Sequence, residues 1–139
     1  MSNNCQELDC LLLRPWTVEL ALERYAKLAE RFDVARFIQR APDFEEIPWP
    51  TLVSPDVLQI EGVRWDAVEA FFAAARSKMS AAAYGKLVKG TMIRFHPDKW
   101  AARNILLRAR DEDHKKALTR AALRVAQEAG AAYERLTRN

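Results

Sequence analysis

The chain has 139 residues, half of them apolar and 29% charged, with a formal net charge of +3. That balance excludes a wholly disordered chain, and no apolar run approaches the roughly 20 residues that span a bilayer. Only four glycines stand against many Ala, Leu, Arg and Glu, which favours helices over a turn-rich β fold.

Residues 1–16, MSNNCQELDCLLLRPW, have no basic n-region, and their apolar run is only Leu11 to Leu13. The expectation is a flexible N-terminus without a secretory signal, in a reducing cytoplasmic or nuclear compartment. A disulfide between Cys5 and Cys10 would close a tiny loop, and the pair lacks the further ligands of a zinc site. Two reduced thiols and no metal are expected.

A helix is predicted from Thr17, an N-cap residue, with Glu19 at the end of the dipole that favours an anion. Val18, Ala21, Leu22, Tyr25, Leu28, Ala29, Phe32 and Ala35 recur at spacings of three and four, and Phe37 and Ile38 continue the stripe to Pro42. Such a stripe packs on the rest of the domain or on a partner helix. Pro42, Pro48, Pro50 and Pro55 then punctuate the stretch DFEEIPWPTL and its flanks. This reads as an extended strap whose Phe44, Ile47, Trp49 and Leu52 press into apolar grooves. A short exposed recognition motif is the alternative.

Ser54-Pro55-Asp56 has the form of a helix start, which Gly62 interrupts. A second helix carries Trp65, Val68, Phe71, Phe72 and Ala75 on one face. Ser80 is the N-cap of a third, in which Tyr84, Leu87, Val88, Thr91, Met92 and Phe95 share a face until Pro97 ends it. Residues 98–110 form a longer connection, with Trp100, Ile105 and Leu106 tucked inward around at most a short helix. Asp111, Glu112 and Asp113 supply the negative first turn of a last helix with the stripe Leu118, Ala121, Ala122, Val125, Ala129, Ala132, Tyr133 and Leu136. The segments are therefore 1–16, 17–60 and 61–139. Residues 1–60 carry 6 basic and 10 acidic groups, whereas residues 61–139 carry 16 and 9. Either an acidic partner for the second part or docking of the two parts on each other explains this split.

The stretch that carries a function is YGKLVKGTMIRFHPDKW, residues 84–100. Proline stops the helix, so His96, Pro97 and Asp98 are presented on an exposed turn. Upstream, Lys86 and Lys89 lie opposite the apolar stripe, with Ile93 between them in angle and Arg94 on the flank. A plain solvated face is the bland reading of that strip.

Here the sequence resembles the J-domain of DnaJ-type co-chaperones. An aromatic-HPDK turn follows a basic helix, and a later helix ends in Ala132-Tyr133-Glu134-Arg135-Leu136. The form RFHPDKW is similar to the divergent J-like segment of inhibitor-of-NF-kappa-B-like proteins. It is similar too to that of short fungal proteins in which a long helix, a strap ending IPWP and RFHPDK occur together. The resemblance implies an all-α fold: an antiparallel hairpin of residues 80–95 and 111–136 with the HPD turn at one end, the N-terminal helix and proline/aromatic strap beside it. It implies that His96, Pro97, Asp98 and the basic positions Lys86, Lys89, Arg94 and Lys99, with Ile93 among them, bind a DnaK-type heat-shock chaperone and stimulate its ATP hydrolysis. The chaperone, with a client or nuclear partner, is then the expected company, and no cofactor or membrane is implied. Gly85 and Gly90 inside the basic helix and the long connection after the turn depart from the family pattern.

A rival reading takes the basic run Arg103, Arg108, Arg110, Lys115, Lys116, Arg120 and Arg124 as a phosphate-binding surface for nucleic acid, interrupted by Asp111–Asp113. On this reading the chain is a J-like scaffold, a nuclear or protein-interaction module without chaperone activity. No catalytic residue is assigned. His96 and Asp98 flank a proline, His114 sits on a charged helix start, and no phosphate-cradling glycine loop or metal spacing occurs.

Overall fold

The computed structural model describes residues 16–138, so the readings of the N-terminal segment, its two cysteines included, lie outside the described residues. Those described are all-α. The helices are α1 (Val18–Val34), α2 (Trp65–Lys78), α3 (Ala81–Arg94), α4 (Pro97–Ala102) and α5 (Glu112–Thr137), with short 3-10 turns at Phe44–Glu46 and Ile60–Gly62. None of these helices is long and apolar enough to cross a membrane.

Three helix starts follow from side chains that accept otherwise orphaned backbone N–H groups. Thr17 Oγ1 accepts from Leu20 N at 3.1 Å, and Ser80 Oγ from Ala83 N at 3.1 Å. Asp111 Oδ1 accepts from Asp113 N at 2.9 Å and His114 N at 3.2 Å. The end of α4 is a Schellman closure. Ile105 N donates to Trp100 O at 3.2 Å and Asn104 N to Ala101 O at 3.1 Å, and Asn104 takes the left-handed backbone (φ 53°) that this closure requires.

The broadest helix contact is between α3 and α5, and α2 packs on both. The pair runs antiparallel: Tyr84 near the start of α3 lies in the field of Arg135 near the end of α5, and Phe95 meets the same groove as Ala122. Between them lie Val88, Thr91, Phe95, Leu118, Ala121, Val125 and Ala129, all buried, with Val68, Phe71, Phe72 and Ala75 from α2. Helix α1 adds Tyr25, Ala29 and Phe32, and the strap adds Ile47 and Trp49, to one continuous cluster. The stripe of the first helix thus packs on its own chain. The strap is extended except at Phe44–Glu46, which form a 3-10 turn, and it is inward-facing: Ile47 and Pro48 are fully buried, Trp49 and Thr51 nearly so, and Phe44 and Leu52 partly. Both of its indole contacts are satisfied, Trp49 Nε1 by Phe44 O at 3.0 Å and Trp16 Nε1 by Leu52 O at 2.9 Å.

Three boundaries and the burial of Trp65 differ from the expectation. Helix α1 ends at Val34 rather than at Pro42, because Arg103 donates to Phe32 O and Ala35 O (2.9 Å) and takes over carbonyls that a further turn would use. Phe37 then folds back on Phe32, ring centroids 5.6 Å apart, while Ile38 is left exposed. Ser54-Pro55-Asp56 makes a single turn, in which Val57 N and Leu58 N both bond Ser54 O, and no helix follows directly. Trp65 is 51% exposed, whereas Val63, just before α2, is fully buried. Pro97 lies beyond the end of α3 and is the first residue of α4, where its missing N–H costs nothing.

Candidate partner-binding site

The HPD tripeptide sits between two buried aromatic residues. Phe95 caps α3, its N–H bonded to Thr91 O at 3.0 Å, and is fully buried. His96 is extended and acts as N-cap of α4: its Nδ1 accepts from Asp98 N at 3.1 Å. That acceptor role leaves Nε2 as the proton-bearing nitrogen of the neutral ring. Asp98 projects almost wholly into solvent, its side chain 94% exposed and its Oδ2 3.9 Å from His96 Nδ1. Lys99 is exposed as well, whereas Trp100 is buried and donates from Nε1 to Arg94 O at 2.9 Å. The indole thereby satisfies a carbonyl at the end of α3 and ties the start of α4 to it.

Phe95 and Trp100 belong to a ladder of rings that runs under the turn. Phe44 stacks on Trp49 (5.4 Å), Trp49 meets Phe95 (5.5 Å), Phe95 meets Trp100 (5.9 Å), and Trp100 meets Phe32 (6.1 Å). The position of His96, Pro97 and Asp98 is therefore set by the strap on one side and by α1 on the other.

Of the four basic positions named with the turn, Lys86, Lys89 and Lys99 are exposed, and so is Ile93. Arg94 is not part of this surface. Its side chain is only 12% exposed and forms a fork with Asp33, Nε to Oδ1 at 2.7 Å and Nη2 to Oδ2 at 2.8 Å. Its Nη1 donates to Tyr25 Oη at 2.8 Å, and that hydroxyl also bonds Thr91 Oγ1, which itself donates to Leu87 O at 2.8 Å. Burial opposes the guanidinium's charge, yet Asp33 and Tyr25 together hold its pKa above the ordinary value. Burial pushes the Tyr25 phenol up, against the opposing pull of Arg94 and Thr91. Arg94 is a positioning residue that joins α1 to the end of α3.

The basic run after the turn is divided in the same way. Arg103 caps α1 and lies over the Phe32 ring at 5.0 Å; burial lowers its pKa. Arg124 donates to Val63 O at 3.0 Å and Arg108 Nε to Ile38 O at 3.2 Å. Lys115 lies 4.0 Å from Glu112, and Arg110, Lys116 and Arg120 are exposed. The seven do not form one continuous strip. Tyr25, Asp33 and the ring ladder were missed as determinants of the site. Tyr25 was legible as stripe, but nothing in its spacing named an arginine sixty-nine positions on as its partner. Among the described residues no group of three or more His, Cys, Asp or Glu could hold a metal ion.

Compared with protein-family models, with curated proteins and with solved structures, the chain matches none.

Proposed function

We propose that this protein is a J-like adaptor that engages a DnaK-type heat-shock ATPase and stimulates its ATP hydrolysis, without being an enzyme itself. The observation that carries the reading is the presentation of His96, Pro97 and Asp98 in solvent between buried Phe95 and Trp100. A partner arginine docking on Asp98 would gain a charge-assisted contact of roughly 1.5–3 kcal/mol once water is excluded. The antiparallel α3–α5 pair supports the reading, since it is the frame that a J-type turn requires. Lys86 and Lys89, exposed on α3, would steer an acidic face of the ATPase and act chiefly on association rate and salt dependence. Arg94 takes no direct part, because Asp33 and Tyr25 occupy it. Cytoplasm or nucleus follows as the place of action, with a client or nuclear partner brought to the ATPase.

Binding of the ATP-loaded chaperone to immobilised protein tests this. The wild type binds; Asp98→Asn and His96→Gln each weaken binding at least about tenfold, the loss of one such contact. Equal binding by wild type and both variants would sink it.

The rival reading, a J-like scaffold that binds nucleic acid, draws on the exposed Arg110, Lys116 and Arg120. It requires affinity for duplex DNA or RNA to fall by orders of magnitude between about 50 and 200 mM salt.

A further inference from the structure

Alongside the turn, an open groove of about 390 Å³ runs between α4 and the first half of α5. Phe95, Trp100 and Leu106 line its depth and are buried, while Leu107 (59% exposed) and Leu123 (42% exposed) stand at its edges. Leu107 and Leu123 are two exposed leucines that share this one surface groove. The Schellman closure at Asn104 produces one of them: the left-handed residue redirects the chain so that Leu106 turns in and Leu107 stays out. Leu123 lies off the buried stripe of α5, which runs through Leu118, Ala121, Ala122 and Val125.

The rim is cationic. Lys115 lines the groove itself. At about 100° per residue, Lys116 and Arg120 fall beside Leu123 on the solvent side of α5, and both are exposed. Arg108 follows Leu107 directly, but its Nε is held by Ile38 O at 3.2 Å and it is not part of this rim. Of the basic residues between 99 and 124, Arg103, Arg108 and Arg124 are held by backbone carbonyls elsewhere, and Lys115, Lys116 and Arg120 are the ones set at this groove. An apolar cleft with this rim is poorly suited to a phosphate backbone, whose charge would gain nothing from the leucines. A two-fold pairing of two copies would bring the same cationic rim against itself.

We propose that this groove docks an acidic amphipathic helix of a partner protein, its apolar residues seated between Leu107 and Leu123 and its carboxylates on Lys115, Lys116 and Arg120. Pro97 of the turn also lines the groove, but Leu107, Leu123, Lys115, Lys116 and Arg120 take no part in the chaperone reading, so variants at these positions test the proposal separately from it.

The test uses the full chain and a fluorescein-labelled Glu/Leu/Ala peptide with leucines at i, i+3, i+4 and i+7. Its controls are a scrambled peptide of the same composition and one with Lys in place of Glu. The acidic amphipathic peptide binds saturably, with a Kd on the order of 10–100 µM. It shifts the amide resonances of Asn104, Leu107, Thr119 and Leu123, and the controls do not. Combined Leu107→Ser and Leu123→Ser weakens binding about tenfold or more. Lys115→Glu with Lys116→Glu does the same and flattens the salt dependence, which keeps the test decisive if the serine pair disturbs folding. No saturation by about 1 mM, equal binding of the scrambled peptide, or shifts confined to other surfaces would overturn the proposal. So would a concentration-dependent dimer that the serine pair dissociates, or movement of the groove resonances on deleting residues 1–15 without peptide. Those two results would assign the groove to a second copy and to the chain's own N-terminus.

Discussion

Tyr25 holds an unusual position for a phenol: buried, bonded to Thr91 and to the Arg94 guanidinium, which is itself forked on Asp33. Its pKa is raised, chiefly by burial, so the folded state binds this proton more tightly than the unfolded chain does. Stability from this group is fully present below the ordinary phenol pKa of about 10 and is lost as pH rises through the higher folded value. Urea unfolding followed from about pH 9 to 11 should therefore fall more steeply for the wild type than for Tyr25→Phe; parallel curves would contradict the network. Two glycines make a second test. A Cβ at Gly85 meets nothing within 4 Å, and one at Gly90 meets only Arg94 Nη2 at 3.7 Å, an ordinary contact. Neither glycine is there for close packing. Gly85→Ala and Gly90→Ala should each raise stability by about 0.5–1 kcal/mol in denaturant titration, the helix propensity difference. A loss would mean that the helix needs to flex there.

Among the elements, the strap and α1 determine whether the turn is held. Trp49 touches Phe44 on one side and Phe95 on the other, and Phe32 reaches Trp100 from α1. Trp49→Ala should cost about 3–5 kcal/mol, the range for removing a large buried aromatic, and should broaden the amide resonances of His96 and Asp98. Unchanged stability would show that the strap is an accessory. Removal of residues 1–53 exposes Phe71, Phe95 and Trp100 at once, and the remainder should aggregate; a monodisperse, cooperatively folding remainder would contradict the single core. Much of this was legible in the chain. Periodicity named the buried faces of α2, α3 and α5 nearly residue by residue, because those stripes face one core and little else competes. The alternation of proline with Ile47 and Trp49 named the strap. The end of α1 was not legible, because Phe37 and Ile38 keep a helical spacing. What stops the helix is Arg103, far along the sequence and hydrogen-bonded to Phe32 O and Ala35 O. Trp65 misled for a related reason: residues at helix ends obey the period without necessarily reaching the core.

For the whole molecule, the uneven charge along the chain has an internal explanation for part of its size. Glu19 pairs with Lys78 at 2.7 Å and Asp33 with Arg94, both across the two parts, while Arg103 and Arg108 bond backbone carbonyls of the first part. Docking consumes those cations and leaves others outward: Lys86 and Lys89 on α3, Lys116 and Arg120 on α5. The sequence displayed all of them as one basic half, since composition cannot distinguish a capping arginine from a solvated one. If the outward lysines of α3 serve association, Lys86→Glu with Lys89→Glu should slow binding of the ATP-loaded chaperone about tenfold at low salt. It should change dissociation little. An unchanged association rate, or one lowered equally at all salt concentrations, would remove the strip from the interface.

Single-turnover ATP hydrolysis by a DnaK-type chaperone, measured with wild type, His96→Gln and Asp98→Asn, decides whether the HPD turn works. Wild type should accelerate hydrolysis, and both variants, with circular dichroism and unfolding midpoints matching the wild type, should fail to do so. No acceleration by a folded wild type, or equal acceleration by all three, would contradict the assignment of this turn as a chaperone contact.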